Sequence, residues 1–447
     1  MKHVNDLVTI FRDAVHAVDP AVLIERHVKK EGRTLLIKTH GGTISEDLSS
    51  YKEIIVLGIG KASARMAATM EGILGPDLAK GLVITKYGHG LHLAKTHVLE
   101  AGHPIPDENS MDGALMLTRI ARDADEHTLI INLISGGGSS LFSLPADGIN
   151  LEDKIETTRV LLESGAGIDE VNCIRKHISK VKGGRFAKIA YPARLISLIL
   201  SDVISDRLDT ISSGITTPDP TTFKDALSVL AKYFLEDKVP SAVKELLRSG
   251  SQGHISETPK DNDPAFTNAV NIIVGNNALA CRAALSRAEK LGYDAHILTT
   301  TLTGEALRAG ECLSGLAREI DSGRSGLKKP TLLILGGETT VTIHGKGKGG
   351  RNQEMALAFA CWLHTLCPGS SNIYFLSAGT DGTDGPTDAA GAFVTPGLME
   401  KMKGISDEAV RQLEDNDSYH FFSQQDLLFK TGPTYTNVCD IHLLMVV

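Results

Sequence analysis

Two glycine-rich segments each contain one strongly basic side chain, a combination typical of sites that bind phosphates. Residues 56–63 read Val-Leu-Gly-Ile-Gly-Lys-Ala-Ser, so Lys61 follows two glycines directly after an apolar run. Residues 345–354 read Gly-Lys-Gly-Lys-Gly-Gly-Arg-Asn-Gln-Glu and place Arg351 at the start of a predicted helix. The free N–H groups of a helix start attract anions, and a cation there adds to the attraction. Lys61 and Arg351 are therefore the first candidates for contact with a phosphate.

Neither of two familiar nucleotide-binding motifs is intact around Lys61. A Walker A loop reads GxxxxGK[ST], whereas Ile55 stands at the first glycine position and Ala62 follows the lysine. A dinucleotide fingerprint reads GxGxxG, whereas Ser63 replaces its third glycine. The sequence therefore disfavours NAD. NADP stays open, because Lys86 at the end of the second predicted strand could meet a 2′-phosphate.

Three further segments of the N-terminal half carry groups that bind anions or metal ions. Residues 135–140, Ser-Gly-Gly-Gly-Ser-Ser, can wrap a carboxylate or phosphate with amides and hydroxyls, although a plain tight turn is the alternative. Arg175 and Lys182 share a face of a predicted helix, which is either an anion site or a solvated basic surface. Asp202 directly follows an apolar run, where an acid either caps a helix or binds Mg²⁺.

The C-terminal half adds amide and carboxylate groups at similar places. Asn276 and Asn277 follow an apolar run, and we expect Asn277 to cap a helix and Asn276 to contact a ligand. Asp381 and Asp384 lie in a segment rich in glycine and threonine. Their spacing of three excludes an EF-hand, which needs acids at alternate positions, but a metal or nucleotide site and an ordinary turn both stay open.

These segments need strands to position them, and the apolar pattern predicts such strands. Short apolar runs alternate with amphipathic stretches such as 61–73 and 277–291, which predicts an α/β fold with parallel sheets and helices on both faces. Ligands of such sheets bind at the carboxyl ends of the strands. The predicted strands are 54–57, 81–85, 128–134, 195–200, 271–274, 295–299, 331–335 and 373–377.

Length, composition and charge limit the class of protein. The polar stretch 249–268 divides the 447 residues into a larger domain, 1–250, and a smaller one, 251–447. Lys plus Arg number 46 against 54 Asp plus Glu, a net charge of −8, which argues against binding nucleic acid or an anionic membrane. We find no signal peptide and no apolar run near the ~18 residues of a membrane span. Six scattered cysteines fit a reducing cytoplasm.

Taken together, the segments resemble the glycerate 2-kinase family whose C-terminal part is the MOFRL domain. The resemblance covers nearly the whole chain, and the order of the motifs is more specific than any single motif. One difference is Ile215, where the family commonly has proline. The motifs are Gly-Ile-Gly-Lys-Ala-Ser at 58–63, Ile-Ser-Gly-Gly-Gly-Ser-Ser at 134–140, Arg-Lys-His-Ile-Ser-Lys-Val-Lys-Gly-Gly-Arg at 175–185, Ser-Asp-Val at 201–203, Gly-Gly-Glu-Thr-Thr-Val at 336–341, Gly-Lys-Gly-Gly-Arg-Asn-Gln-Glu at 347–354 and Gly-Thr-Asp-Gly-Thr-Asp-Gly-Pro-Thr-Asp at 379–388.

The resemblance implies transfer of the ATP γ-phosphate to D-glycerate, usually at the 2-hydroxyl. It implies a Rossmann-like N-terminal domain, a smaller C-terminal α/β domain with a MOFRL-type region at about 330–447, and an active site in the cleft between them. Lys61 and Arg351 become the catalytic candidates, with Mg²⁺ and ATP as cofactors. The predicted substrate and phosphate contacts are Gly60, Ser135, Gly136, Gly137, Gly138, Ser139, Arg175 and Lys182. The predicted nucleotide contacts are Asn276, Gly337, Glu338, Lys348 and Asp381, and the predicted metal ligands are Asp202 and Asp384.

Two other classes of function stay open on the sequence. One is an NAD(P)H-dependent hydroxypyruvate reductase, which the broken dinucleotide fingerprint disfavours. The other is a non-catalytic protein that binds anionic metabolites, for which charged groups on so many loops are excessive. The predicted partners are D-glycerate and a nucleotide, without nucleic acid or membrane, and a homodimer stays open.

Overall fold

The structure, a computed structural model, describes residues 2–368 and 372–447. Its internal contacts divide the chain into two units, Leu23–Val274 and Met1–Val22 with Gly275–Val447. We call these the N-terminal unit and the C-terminal unit. The division lies at 274/275 rather than at the 250/251 expected from the polar stretch, because a strand that begins at Ala269 joins the N-terminal sheet. The first helix of the chain packs within the C-terminal unit.

The predicted strands are all present, and further strands occur that the apolar pattern did not reveal. Within the described residues, the strands are β1 (Val28–Glu31), β2 (Thr34–Thr39), β3 (Gly42–Asp47), β4 (Glu53–Ile59), β5 (Lys80–Lys86), β6 (Thr96–Ala101), β7 (Thr128–Ile134), β8 (Arg194–Leu200), β9 (Ala269–Gly275), β10 (Asp294–Leu302), β11 (Thr331–Gly337), β12 (Ile373–Gly379), β13 (Gly391–Val394), β14 (Leu428–Phe429) and β15 (Asp440–Val446).

The helices match the two amphipathic stretches to within two residues at each end. Within the described residues, the helices are α1 (Lys2–Ala17), α2 (Pro20–His27), α3 (Ser63–Leu74), α4 (Glu108–Arg122), α5 (Gly138–Leu141), α6 (Leu151–Glu163), α7 (Ile168–His177), α8 (Arg185–Ala190), α9 (Phe223–Lys232), α10 (Ser241–Ser251), α11 (Asn277–Lys290), α12 (Ala306–Asp321), α13 (Arg351–Leu366), α14 (Pro396–Glu414) and α15 (Ser418–Gln424).

The N-terminal unit is built on a sheet in the order β6-β5-β4-β7-β8-β9, beside a small antiparallel sheet of β1, β2 and β3. From β6 to β8 every neighbouring pair is parallel, which confirms the predicted arrangement. The central strand β7, Thr-Leu-Ile-Ile-Asn-Leu-Ile, is buried at every position, as expected when helices cover both faces. The carboxyl ends of β4, β7 and β8 therefore lie side by side at one edge.

A second hydrophobic core in the N-terminal unit is formed mainly by helices. Apolar residues of α6, α7, α9 and α10 pack together there, among them Leu161, Ile174, Phe223 and Leu247. α6 begins at a capping box, in which the Asn150 side chain accepts from the backbone N–H of the third helical residue at 2.7 Å. This helical cluster fixes the basic side chains of α6 and α7.

The C-terminal unit is built on a mixed sheet in the order β10-β11-β15-β12-β13-β14. β10 and β11 are parallel, but β15 is antiparallel to both of its neighbours, β11 and β12. The expectation of parallel pairing therefore holds for β10 and β11 but is wrong for the pairs that β15 makes. The reason is that the last strand of the chain, which is fully buried, inserts between two strands that precede it. α1 packs against α11, and α12 against α13.

No helix of residues 2–368 and 372–447 is both long enough and apolar enough to cross a lipid bilayer.

Candidate active site

The turn that carries Lys61 is joined by hydrogen bonds to the glycine-rich turn after β7. The Lys61 backbone N–H donates to the Gly136 carbonyl at 2.8 Å, and the Ala62 N–H donates to the Ser135 hydroxyl at 3.0 Å. β4 and β7 are neighbouring parallel strands, so both turns lie at the same edge of the sheet. Lys61 and residues 135–140, which are far apart in sequence, therefore belong to one site.

Glycine is required in both turns because the chains approach so closely. Gly60 has a φ of +118°, and a Cβ there would overlap the hydroxyl and carbonyl of Ser135. Gly137 has a φ of +85°, and its Cβ would lie 2.8 Å from Cδ2 of His103 and 3.3 Å from Cγ of Lys61. Both φ values lie in the region that L-residues with a side chain avoid. The glycine-rich turn is thus packed directly against the Lys61 side chain.

A chain of hydroxyl and amide groups continues from this turn to α7. The hydroxyl oxygens of Ser139 and Ser213 lie 2.9 Å apart, and the Ser213 hydroxyl donates to Oδ1 of Asn172 at 3.1 Å. Ser212 and Ser213 have φ values of +50° and +60°, which are strained for serine. A Cβ at Gly138 would overlap the Ser212 hydroxyl. The segment after β8 is therefore held tightly against the turn after β7.

Two buried lysines bind the segment Ser139–Ser143, and Arg175 lies near enough for its charge to act on both. The Lys182 ammonium donates to the Ser139 carbonyl at 2.8 Å, and the Lys154 ammonium donates to the Ser143 hydroxyl at 3.1 Å. Both lysines are buried, whereas Arg175 on α7 is partly exposed. The structure thus brings the predicted residue Lys182 to the glycine-rich turn and places Arg175 near enough for its charge to act on Lys182. It adds Lys154, which the sequence did not identify.

The electrostatics of this cluster favour an anion. Burial, followed by the charge of Arg175, lowers the pKa of Lys154 to about 7. Burial, together with the charges of Lys154 and Arg175, lowers the pKa of Lys182 well below its usual value, and burial lowers the pKa of Arg175. No carboxylate of the described residues is among the charges that act on them. Desolvation disfavours the charged forms, so an anion beside them would be stabilised.

Asp202 lies just after β8, at the same edge of the sheet as the turns that follow β4 and β7. Its side chain is partly buried, and the next turn contains Ser205 and Asp206 with positive φ values of 68° and 54°. A carboxylate at this edge remains a suitable oxygen ligand for Mg²⁺. In residues 2–368 and 372–447, no preformed group of three or more His, Cys, Asp or Glu could hold a metal ion.

In the C-terminal unit, Arg351 is the first residue of α13 and pairs with two carboxylates. Its Nε donates to Oδ2 of Asp440 at 2.5 Å, its Nη2 donates to Oδ1 at 2.9 Å, and its Nη1 lies 2.7 Å from Oε1 of Glu338. Burial lowers the pKa of Arg351, but Asp440 and then Glu338 raise it overall. Of the five N–H groups of a guanidinium, these contacts with described residues use three. Two remain for a ligand.

Asp384 anchors the start of α13. Its Oδ1 accepts from the backbone N–H and the side-chain amide of Asn352 at 3.0 and 3.2 Å, and its Oδ2 accepts from the same groups of Gln353 at 2.9 Å each. Burial raises its pKa to about 6, against the lowering effect of these bonds. A carboxylate has about four acceptor positions, and all four are occupied. The predicted metal role does not fit this geometry, and Asp384 instead positions the helix that begins at Arg351.

Asn276 is the N-cap of α11, with its side chain accepting from the Leu279 N–H at 2.9 Å. The expectation that Asn277 caps this helix is therefore wrong. The Asn277 amide instead donates to the carbonyl of Asp440 at 2.9 Å, because β11 and β15 end beside the helix start. The side chain of Asn276 is thus engaged in the helix start, and its contact with a nucleotide stays a prediction.

The remaining predicted nucleotide contacts lie on separate features. Gly337, at the end of β11, precedes Glu338 and has a φ of +146°. The Lys348 ammonium lies 4.5 Å from the ring centroid of Tyr419, away from strand ends. Asp381 and Asp440 flank Gly379, whose Cβ would lie 3.4 and 3.5 Å from their Oδ1 atoms. Gly337, Glu338 and Asp381 therefore lie near Arg351 or its partner Asp440, whereas Lys348 contacts another part of the unit.

Two important residues, Lys154 and Asp440, were missed by sequence reasoning. Lys154 lies on an amphipathic helix, where a lysine ordinarily faces solvent, and no local signal distinguishes it. Asp440 does carry a signal, since it stands immediately before the apolar run Ile-His-Leu-Leu-Met-Val-Val at the end of the chain. An acid at the edge of a buried strand suggests a partner, but it does not identify Arg351.

Comparisons with known proteins identify the relatives of this chain. The family profile described as "Domain of unknown function (DUF4147)" matches residues 6–248, and the MOFRL family profile matches residues 331–440. The glycerate 2-kinase of Pyrococcus horikoshii is 42% identical over 97% of this chain and 95% of its own length. The crystal structure of a glycerate kinase from Thermotoga maritima superposes with a TM-score of 0.84, at 38% identity and with 99% of each chain covered.

A relative with another name bears on the reductase alternative. A protein of Agrobacterium vitis, 37% identical over 88% of this chain and 99% of its own length, carries the provisional name hydroxypyruvate reductase. Its identity is lower than that of the glycerate 2-kinase. The profile matches, the identity over nearly the whole length and the likeness of fold agree with the resemblance inferred from the motifs. The chain therefore belongs to the glycerate kinase family that carries the MOFRL domain.

Proposed function

We propose that this protein is a glycerate 2-kinase, which transfers the γ-phosphate of ATP to the 2-hydroxyl of D-glycerate. The observation that carries the proposal is the joining of the Lys61 turn to the glycine-rich turn by two hydrogen bonds, with three more cations behind it. Phosphoryl transfer needs positioned cations and donors more than covalent chemistry. The 42% identity to a glycerate 2-kinase supports the choice of acceptor.

In the N-terminal unit, the residues serve to bind and neutralise anions. The backbone amides of Gly136–Ser139 bind a ligand without a steric clash, while Gly60 and Ser135 hold the two turns together. The Lys61 ammonium stabilises charge on the transferred phosphoryl group. Arg175 and Lys182 bind substrate from the other side of the glycine-rich turn.

In the C-terminal unit, Arg351 contributes the second catalytic cation. Asp440 fixes the plane of its guanidinium, and the two remaining N–H groups donate to phosphate oxygens. Glu338, which is 42% exposed beside Nη1, is a further nucleotide contact proposed from the sequence. The nucleotide contacts proposed from the sequence, Asn276, Gly337, Lys348 and Asp381, belong to this unit.

Mg²⁺ is the metal ion that a kinase of this class needs. Asp202 supplies a carboxylate oxygen suited to it, whereas the oxygens of Asp384 are engaged with α13. When bound, the ion neutralises charge on the nucleotide phosphates. The few carboxylates fit an ion that takes most of its ligands from phosphates and water.

A coupled assay tests the function and its regiochemistry. The purified protein is incubated with ATP, MgCl₂ and D-glycerate, and the product is offered to enolase alone. We expect enolase to consume it, because enolase accepts 2-phosphoglycerate directly. If enolase consumes the product only after a mutase is added, the phosphate has been transferred to the 3-hydroxyl instead. If the protein oxidises NADPH with hydroxypyruvate and does not use ATP, the function is that of a hydroxypyruvate reductase and not of a kinase.

Two further predictions concern the cellular location and the oligomeric state of the protein. A cytoplasmic location is supported by the six cysteines, all of which are free thiols. A homodimer also stays a prediction, and sedimentation of the purified protein tests it.

A further inference from the structure

The roles proposed for Lys61 and Arg351 do not explain the cluster of Lys154, Arg175 and Lys182. It places three basic groups close together near the Ser139–Ser143 segment, where burial lowers the pKa of each, and no carboxylate of the described residues is among the charges that act on them. By contrast, Lys176 in the same basic stretch is equally buried but pairs with Asp219 at 3.1 Å. Among the described residues, the buried Lys176 thus has a carboxylate partner, whereas Lys154 and Lys182 have none.

The geometry of the cluster separates a contacting residue from two supporting ones. Lys154 and Lys182 are 4% and 0% exposed, and their ammonium groups are bound to Ser143 and Ser139. Arg175 is partly exposed and makes no hydrogen bond or ion pair with the described residues. Ser139 is also partly exposed. A ligand can thus reach Arg175 and Ser139, with the two ammonium groups beneath.

The chemistry of the cluster indicates which part of the substrate binds there. A guanidinium presents a planar fork of donors that matches a carboxylate, and buried charges beneath it strengthen the attraction at low dielectric. The acceptor of the proposed reaction has one permanent anionic group, its carboxylate.

We propose that Arg175 binds the carboxylate of the acceptor, with Lys154 and Lys182 as positioning residues, and that this cluster selects hydroxy acids over neutral polyols. The inference rests on the proposed function and adds to it the group that determines the substrate class. Arg175 forms the fork with the carboxylate. Lys154 and Lys182 hold Ser143 and Ser139 in place and add positive charge from below.

Four variants test the proposal. Arg175→Met removes the fork, Arg175→Lys keeps the charge without the fork, and Lys154→Met removes one supporting charge at nearly constant volume. Lys180→Met is the matched control, because it removes a lysine of the same stretch that is exposed and paired with Asp147. The KM values for D-glycerate and ATP are measured for each, together with the ratio of kcat/KM between D-glycerate and glycerol.

We expect Arg175→Met to raise the KM for D-glycerate at least 50-fold and Lys154→Met about tenfold, with the KM for ATP within twofold. Arg175→Lys should lie between Arg175→Met and the wild type, and because Arg175 is only partly buried, its variants keep the test valid if Lys154→Met does not fold. The preference for D-glycerate over glycerol should fall in parallel. Lys180→Met should match the wild type. A rise in the KM for ATP alone would assign the cluster to the nucleotide and overturn the proposal, as would unchanged constants.

Calorimetric measurement of D-glycerate binding tests the carboxylate site independently of the kinase assignment. If the wild type turns over no glycerate but binds it, and Arg175→Met abolishes binding, the kinase assignment fails and the carboxylate site stands. If the wild type is an active kinase and Arg175→Met binds D-glycerate normally, the carboxylate site fails and the kinase assignment stands. If the wild type neither phosphorylates nor binds D-glycerate, both are overturned.

Discussion

Arg351 is held by Asp440 through two nearly parallel hydrogen bonds, with Nε 2.5 Å from Oδ2 and Nη2 2.9 Å from Oδ1. The Asp440 side chain is fully buried, whereas 33% of the Arg351 side chain is exposed. Asp440 opens β15, the strand that inserts between β11 and β12. The last strand of the chain therefore fixes the orientation of a side chain at the start of α13, and it leaves the outer edge of the guanidinium for a ligand.

Arg351→Lys should abolish most of the activity, although it keeps the positive charge. An ammonium group cannot bind Asp440 through a fork and also donate to a phosphate from a fixed plane. We expect turnover to fall at least about 100-fold, the size seen when one donor to a transition state is lost. The measurement is kcat under saturating ATP and D-glycerate. Arg324→Lys, an exposed arginine of the same unit paired with Glu319, is the control. Turnover within threefold of the wild type would contradict the role of Arg351.

Asp440→Asn should reduce both stability and turnover. Breaking a buried pair costs about 3–5 kcal/mol, and the partial exposure of Arg351 reduces this to about 2 kcal/mol. Denaturant unfolding measures the loss. Because Asp440 acts through Arg351, the double variant Asp440→Asn with Arg351→Lys should be no less active than Arg351→Lys alone. An additional independent loss of activity in the double variant would show that Asp440 does not act through Arg351.

Lys61→Met should lower turnover at least about 100-fold. It should also raise the pKa of the neighbouring His103. Burial, followed by the charge of Lys61, lowers the pKa of His103 to about 4 from its ordinary 6.5. Removing that charge raises the pKa, but burial remains and keeps it below 6.5. Titration of the His103 ring by NMR measures the change, with Lys180→Met as the control. An unchanged titration would mean that the Lys61 ammonium does not lie near His103.

Gly60→Ala should destabilise the protein, because its Cβ would overlap Ser135 and its φ of +118° is strained for alanine. We expect a loss of at least about 2 kcal/mol in the free energy of unfolding. Gly72→Ala is the matched control in the helix that follows. Its Cβ meets no atom within 4 Å, so alanine should stabilise that helix by about 0.5–1 kcal/mol. Equal effects of the two substitutions would contradict the close approach of the turns.

Asp384 should make stability depend on pH in an unusual direction. Burial raises its pKa in the folded state to about 6 from 3.8, so the folded protein holds the proton more tightly than the unfolded chain. Its contribution is fully present below pH 3.8 and is lost as the pH rises to about 6, a change of about 3 kcal/mol. The stability advantage of the wild type over Asp384→Asn should therefore shrink by that amount between pH 4 and 7. A difference that stays constant in denaturant unfolding across this range would refute the prediction.

Much of the fold and part of the site follow from local pattern. The apolar runs predicted the strands β4, β7 and β8, which lead into the turns containing Gly60, Ser135 and Asp202, because burial on both faces of a sheet requires continuous apolar sequence. The glycines predicted close approach of backbone, and the structure places Gly60 and Gly137 at such contacts. The same reasoning failed for β15 in the C-terminal sheet, because an apolar run does not indicate whether the strand will pair parallel or antiparallel to its neighbours.

By itself, the sequence determined the α/β class and the strand ends that carry the glycine-rich turns, and it predicted that Lys61 and Arg351 are the principal cations. It did so because periodicity, turn residues and helix starts depend on near neighbours in the chain. Only the tertiary structure decided that Lys154 turns inward to Ser143 and that Asp440, 89 residues from Arg351, becomes its partner. Those relationships depend on which helices share a core and on β15 inserting between β11 and β12, and the packing of distant segments settles both.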